Sequence, residues 1–172
     1  MRVAVASTVL AAVLAVSGSA AGAATGPTPA QVSTAVARAE RATTLWATIN
    51  ICDPRADPKV LGVRGQMPSL GFASWMSMEI RLEYYDARRH RWIDDPGTLK
   101  TIRLGRASRG LQQGGATYAF TGPTPALRAR VRFAWRRSGR LLGTTVGLTT
   151  AGHPGADYGS PPGYSAASCR IH

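Results

Sequence analysis

Between Pro96 and Ala156 the chain carries ten basic residues and no acidic one: Lys100, Arg103, Arg106, Arg109, Arg128, Arg130, Arg132, Arg136, Arg137 and Arg140. A guanidinium presents a planar fork of donors that matches carboxylate, sulfate and phosphate groups, so such a cluster is a candidate site for a polyanion. A second basic run, Arg88, Arg89, His90 and Arg91, stands immediately before Trp92. From Thr25 to Asp95, by contrast, nine basic residues are balanced by eight acidic ones. The formal net charge of +12 is therefore a located feature, concentrated in the later half of the chain. Arginine on an exposed strand face also keeps a protein soluble and blocks edge pairing, and 19 Arg against 2 Lys matches a composition bias as well as a binding role.

Other residues capable of chemistry are sparse. His153, Asp157 and Tyr158 share a Gly/Pro-rich loop that could bind a metal or carry the acid-base chemistry of a hydrolase, although such loops are more often plain connections. Glu79 and Glu83 lie on one face of an expected strand. Four residues of strand separate them by roughly 13 Å, too far for a glycosidase pair, and with Arg81 between them they form a solvated charge ladder. Asp53 and Asp57 each precede Pro and are read as turn starters instead of calcium ligands. Trp46, Trp75, Trp92 and Trp135 are expected in the core or at its edge. The chain contains no Gly-x-Ser-x-Gly elbow, no His-Glu-x-x-His motif and no phosphate loop, so no catalytic residue is assigned and neither metal nor cofactor is expected.

These groups need a scaffold, and 172 residues suffice for one domain with its own core. Met1 and Arg2, the apolar stretch Val3 to Val16 and the small residues ending at Ala21-Gly22-Ala23 have the form of a secretory signal peptide over residues 1–24, cleaved near Ala23. The apolar stretch is shorter than the roughly 20 residues that span a bilayer, so no membrane span is expected. A secreted, extracellular product follows. In an oxidising compartment the two cysteines, Cys52 and Cys169, have one pairing open to them, a disulfide clamping the start of the fold to its end.

Residues 25–44 form a leader that is either a short helix or disordered. Thr28-Pro29-Ala30-Gln31 has a helix-start pattern, but Val32 and Val36 are its only large apolar residues up to Ala42. From residue 45 to 172 the period changes to two. Leu127 to Arg136 alternates apolar and arginine residues, Ser138-Gly139 turns the chain, and Leu142, Thr144, Val146 and Leu148 return at spacing two. Met76, Met78, Ile80, Leu82 and Tyr84 alternate with polar residues and lead into a turn at Asp86 to Arg91. Shorter candidates are Leu45 to Ile51, Lys59 to Val63, Leu99 to Leu104, Ala116 to Phe120 and Ser165 to Ile171. Turn signals between strands, with no intervening helical pattern, predict an all-β fold, an antiparallel sandwich of about 7 to 9 strands.

The strand number and the late hairpin Leu127 to Thr150 resemble the immunoglobulin-like and fibronectin type III-like domains of secreted bacterial proteins. With Met76 to Tyr84 as the second strand of that arrangement and Leu127 to Arg136 as its sixth, the resemblance implies that their following turns share one end. Arg88, Arg89, His90 and Arg91 would then meet Arg136, Arg137 and Arg140, with Arg128, Arg130 and Arg132 on the adjoining outer face. The expected function is a secreted, non-catalytic module that binds an anionic polysaccharide or envelope polymer through this face or pole; the alternative is an exported hydrolase using the His153/Asp157 loop. Nucleic acid is not expected as a specific partner of an exported protein, although a basic face binds it at low salt.

Overall fold

The computed structural model describes residues 26–172; the expected signal peptide lies outside the described residues. The leader is helical. Helix α1 spans Pro29–Glu40 and starts on a capping box, in which Gln31 N–H donates to the Thr28 hydroxyl at 3.3 Å and Thr28 N–H donates to the Gln31 side chain at 2.8 Å. Its narrow face is enough to pack: Ala35, Val36 and Ala39 are buried. Val36 rests against Gly143, where any side chain would overlap the valine methyls, so the glycine lets the helix approach the sheet. No described helix is long and apolar enough to cross a membrane.

Beyond the helix the described residues form eight strands: β1 Trp46–Cys52, β2 Val60–Pro68, β3 Ser74–Asp86, β4 Arg91–Asp94, β5 Lys100–Ala107, β6 Leu111–Ala119, β7 Leu127–Arg137 and β8 Arg140–Leu148. All paired strands are antiparallel, and they make two sheets. One has the order β1-β2-β6; the other runs β4-β3-β7-β8. The 13-residue β3 shares its remaining edge between two partners, β5 along Ser74 to Ile80 and β4 along Glu83 to Asp86. The predicted all-β, antiparallel character is what the chain adopts.

Both sheets contribute to one apolar cluster. Ile49, Leu61 and Val63 come from the three-stranded sheet; Met76, Met78, Ile80 and Leu82 of β3 and Ala129, Val131, Phe133 and Trp135 of β7 come from the other. Burying each large side chain stabilises by about 1.5–3 kcal/mol. Trp135, fully buried, donates its indole N–H to the Pro68 carbonyl at 2.9 Å, so its one polar atom is satisfied in the core.

Three expectations about strands need correction. Strand β2 runs on to Pro68, past the expected Val63. Ser165 to Ile171 is not a strand: Ala166 exchanges main-chain bonds with Ile49 of β1 and Cys169 with Leu127 of β7. The segment crosses from one sheet to the other, pairing one residue with each, and so lengthens neither. Strand β6 begins at Leu111, well before Ala116, because Gly114 and Gly115 sit where the chain is crowded and hide the alternation. The disulfide forms as expected, Cys52 to Cys169, and ties the end of β1 to that crossing segment. Closing a loop of 117 residues stabilises by about 4–5 kcal/mol in the chain-entropy account.

Candidate functional site

The alternation of β7 sorts its residues by side. Leu127, Ala129, Val131, Phe133 and Trp135 are buried, so Arg128, Arg130, Arg132, Ala134 and Arg136 face outward. On β3 the residues directly opposite are Glu83, Arg81, Glu79, Ser77 and Trp75, in that order. The acidic residues that looked remote in the chain therefore lie beside the arginines.

At the Leu127 end the charges neutralise one another. Glu83 is only 1% exposed; it accepts from Arg128 Nε at 2.5 Å and pairs with Arg130 Nη2. Arg130 and Arg81 each approach Asp94 at 3.6 Å, and Arg132 lies 3.5 Å from Glu79. Arg128 also stacks 4.4 Å from the centre of Trp92, itself 5.4 Å from Tyr85. Arg128, Arg130 and Arg132, expected as a free cationic face, are thus engaged by carboxylates of adjacent strands. Glu79 and Glu83 do form a charge ladder, but across strands, and one rung of it is buried.

The single basic pole does not exist in the expected form. Tyr84 pairs with Leu127 and Trp75 with Arg136, so the turn carrying Arg88, Arg89, His90 and Arg91 follows the far end of β3 from Arg136, Arg137 and Arg140. Nine residues of strand separate the two ends, roughly 30 Å. The reason is direct: strands that are antiparallel neighbours have their following turns at opposite ends, and β3 and β7 are neighbours. Met76 to Tyr84 is the third strand, not the second. Around the first turn, Asp86 accepts from Arg88 and Arg89 N–H at 2.9 and 3.1 Å and lies 3.7 Å from the Arg89 side chain.

The Trp75 end gathers a different set. Trp75, expected in the core or at its edge, is 58% exposed on the outer face. It stands between Arg106 on β5 and Arg136 on β7, each directly opposite it. The next outward row is Arg103, Ser77 and Ala134, and the third is Thr101, Glu79 and Arg132. Arg103 and Arg106 are three residues apart, which on a regular strand would send them to opposite faces. A register shift opposite Met76/Ser77, with Gly105 at a φ of +94°, returns both to the outside. The rows enclose a shallow groove of about 370 Å³ floored by the small residues Ser77 and Ala134. Among the described residues none of Arg103, Arg106 and Arg136 is in an ion pair. Trp75 was legible by parity with the buried Met76; Arg103 and Arg106 were not, because the bulge breaks their period.

Each of the loop residues has its own hydrogen-bond or stacking partner. The His153 ring stacks on Trp46 at 4.6 Å and its Nε2 lies 2.9 Å from the Thr150 hydroxyl, while burial lowers its pKa below the ordinary imidazole value. The main chain of Asp157 is held elsewhere: its N–H donates to Gln113 and its carbonyl accepts from Asn50. Tyr158 is turned to Arg64, whose guanidinium lies 4.9 Å from its ring centre. Among the described residues no hydrogen bond joins His153 to Asp157 or Tyr158. Asp53 shapes its turn as expected, accepting from Lys59 and His172 N–H at 2.7 and 2.8 Å, and these bonds lower its pKa. Among the described residues no three His, Cys, Asp or Glu side chains are grouped to hold a metal.

The chain matches no protein-family model, and no curated protein or solved structure shows significant similarity to it.

Proposed function

We propose that this is a secreted, non-catalytic module with an immunoglobulin-like β-sandwich architecture, which binds an anionic polymer outside the cell through the Trp75 end of its five-stranded sheet. Export is supported by the signal-peptide pattern of residues 1–24 and by the Cys52–Cys169 bond, which persists in oxidising compartments. The architecture is supported by strand order. β1-β2-β6 and β4-β3-β7-β8 follow the order of an immunoglobulin-type first, second and fifth strand against a third, its extra neighbour, a sixth and a seventh. β5 departs from that scheme by joining the edge of β3.

The observation that carries the binding role is Trp75: a large aromatic left mostly exposed, flanked in register by Arg106 and Arg136, neither of which is paired with an acid among the described residues. Exposed aromatic and arginine side chains together are the composition of binding surfaces, not of a merely solvated face. Salt elution from an immobilised polyanion such as heparin tests the reading. The R103S/R106S/R136S protein should elute at clearly lower salt than the unaltered protein, whereas R88S/R89S/R91S, at the other end of the sheet, should elute nearly with it. Equal elution of all three would remove the proposal.

A further inference from the structure

Within the groove one residue is out of place for a simple anion trap. Glu79 lines it together with Trp75, Arg103, Arg132 and Arg136. Among the described residues its carboxylate, half exposed, has one ionic partner, Arg132 at 3.5 Å. A ligand that presents only acid oxygens, such as a polyphosphate chain, is repelled by that carboxylate. A ligand that carries hydroxyl groups between its acid groups meets complementary partners throughout: guanidinium donors for the acids and a carboxylate acceptor for the hydroxyls. Thr101, opposite Glu79 on β5, and Ser77 in the row between add neutral hydroxyls. The open ring of Trp75 supplies an apolar face at one end, suited to a flat ligand with a C–H surface.

We infer that the groove takes an acidic saccharide of the polyuronate type, an assignment that rests on the polyanion-binding reading above. The polymer runs along β3. One sugar ring lies on Trp75, its carboxylate is held between Arg103 and Arg136, and hydroxyls of a following unit reach Glu79, four residues and about 13 Å further along the strand. Arg132 has a double task, holding Glu79 in the free protein and meeting a second carboxylate in the complex. Glu79 is then the residue that separates a hydroxylated polyanion from a bare one, by repelling the second while bonding the first.

The test uses the disulfide-bonded chain titrated with polygalacturonate and, separately, with inorganic polyphosphate at the same ionic strength. Three variants are compared, Glu79→Gln, Trp75→Ala and R103S/R106S/R136S, each first checked for an unchanged thermal midpoint. The unaltered protein should prefer polygalacturonate. Glu79→Gln should narrow that preference roughly tenfold, the size of one charged contact, and Trp75→Ala should weaken polygalacturonate about tenfold with polyphosphate little changed. Preference for polyphosphate, an unchanged ratio in Glu79→Gln, or equal loss of both polymers in Trp75→Ala would overturn the saccharide assignment. In each of those cases, loss of both polymers in the triple variant would leave the polyanion reading standing; retention of both would remove that as well.

Discussion

Trp75 and Arg136 stand directly opposite one another on β3 and β7, on the solvent side of the sheet, while the next pair along, Met76 and Trp135, is buried on the other side. One step of strand separates an exposed indole ringed by cations from an indole sealed in the core. The two tryptophans share a sheet and lie in opposite environments.

That relationship predicts a contrast in stability. Trp75→Ala should shift unfolding by no more than about 0.5 kcal/mol, as surface substitutions do. Trp135→Ala should cost about 3–5 kcal/mol through the cavity it leaves. Urea denaturation of the two proteins checks both numbers, and similar losses would contradict the assignment of faces.

Glu83 faces the same way as Trp75 yet is buried, because Arg128 and Arg130 fold over it. Glu83→Ala removes the carboxylate and leaves two guanidiniums against a half-buried surface. The loss should be about 3 kcal/mol, the low end for breaking a buried pair because both arginines retain access to water. Glu79→Ala, whose pair with Arg132 is exposed on both sides, should cost less than about 0.5 kcal/mol. The difference in denaturation midpoint between the two variants is the measurement.

Gly105 holds the bulge that turns Arg103 and Arg106 to one side, at a φ of +94°. Gly105→Ala forces a side chain into that conformation and should destabilise by about 1–2 kcal/mol. It should also lower the salt needed to elute the protein from a polyanion, since the arginines lose their common face. A variant with full stability and unchanged elution would argue against the bulge as the positioning element.

Stability should depend on the protonation of His153. Burial beside Trp46 lowers its pKa in the folded protein below the ordinary 6.5. The unfolded chain therefore binds the proton more readily, so the contribution is complete above pH 6.5 and is lost as the pH falls through the depressed folded value. His153→Gln should flatten the decline of the thermal midpoint on the acid side of 6.5 without changing the groove around Trp75.

Much of the fold was legible because it rests on local period. The alternation in Leu127 to Arg136 and Met76 to Tyr84 marks two strands and their inner faces, and the Thr28 to Gln31 pattern marks the start of α1. The crossing segment at Cys169 was not legible, since its strand-like composition accompanies single pairings with two sheets, Ala166 with Ile49 and Cys169 with Leu127, instead of membership in one. Less of the site was legible: Arg128, Arg130 and Arg132 were placed on the outer face that they occupy, but their carboxylate partners were not foreseen, and Trp75, Arg103 and Arg106 were not singled out as binding residues.

What the residues determined unaided is which way side chains point along a regular stretch of strand, as in Leu127 to Arg136, because a period of two is a property of consecutive residues. Neighbours are another matter. That Glu83 lies under Arg128 and Arg130, that the Arg88 to Arg91 turn is carried away from Arg136, and that a bulge at Gly105 brings Arg103 and Arg106 to the flank of Trp75 all depend on which strands pair and in what register. Pairing joins residues far apart in the chain, so only the tertiary structure decides where the charge is neutralised and where it is left open.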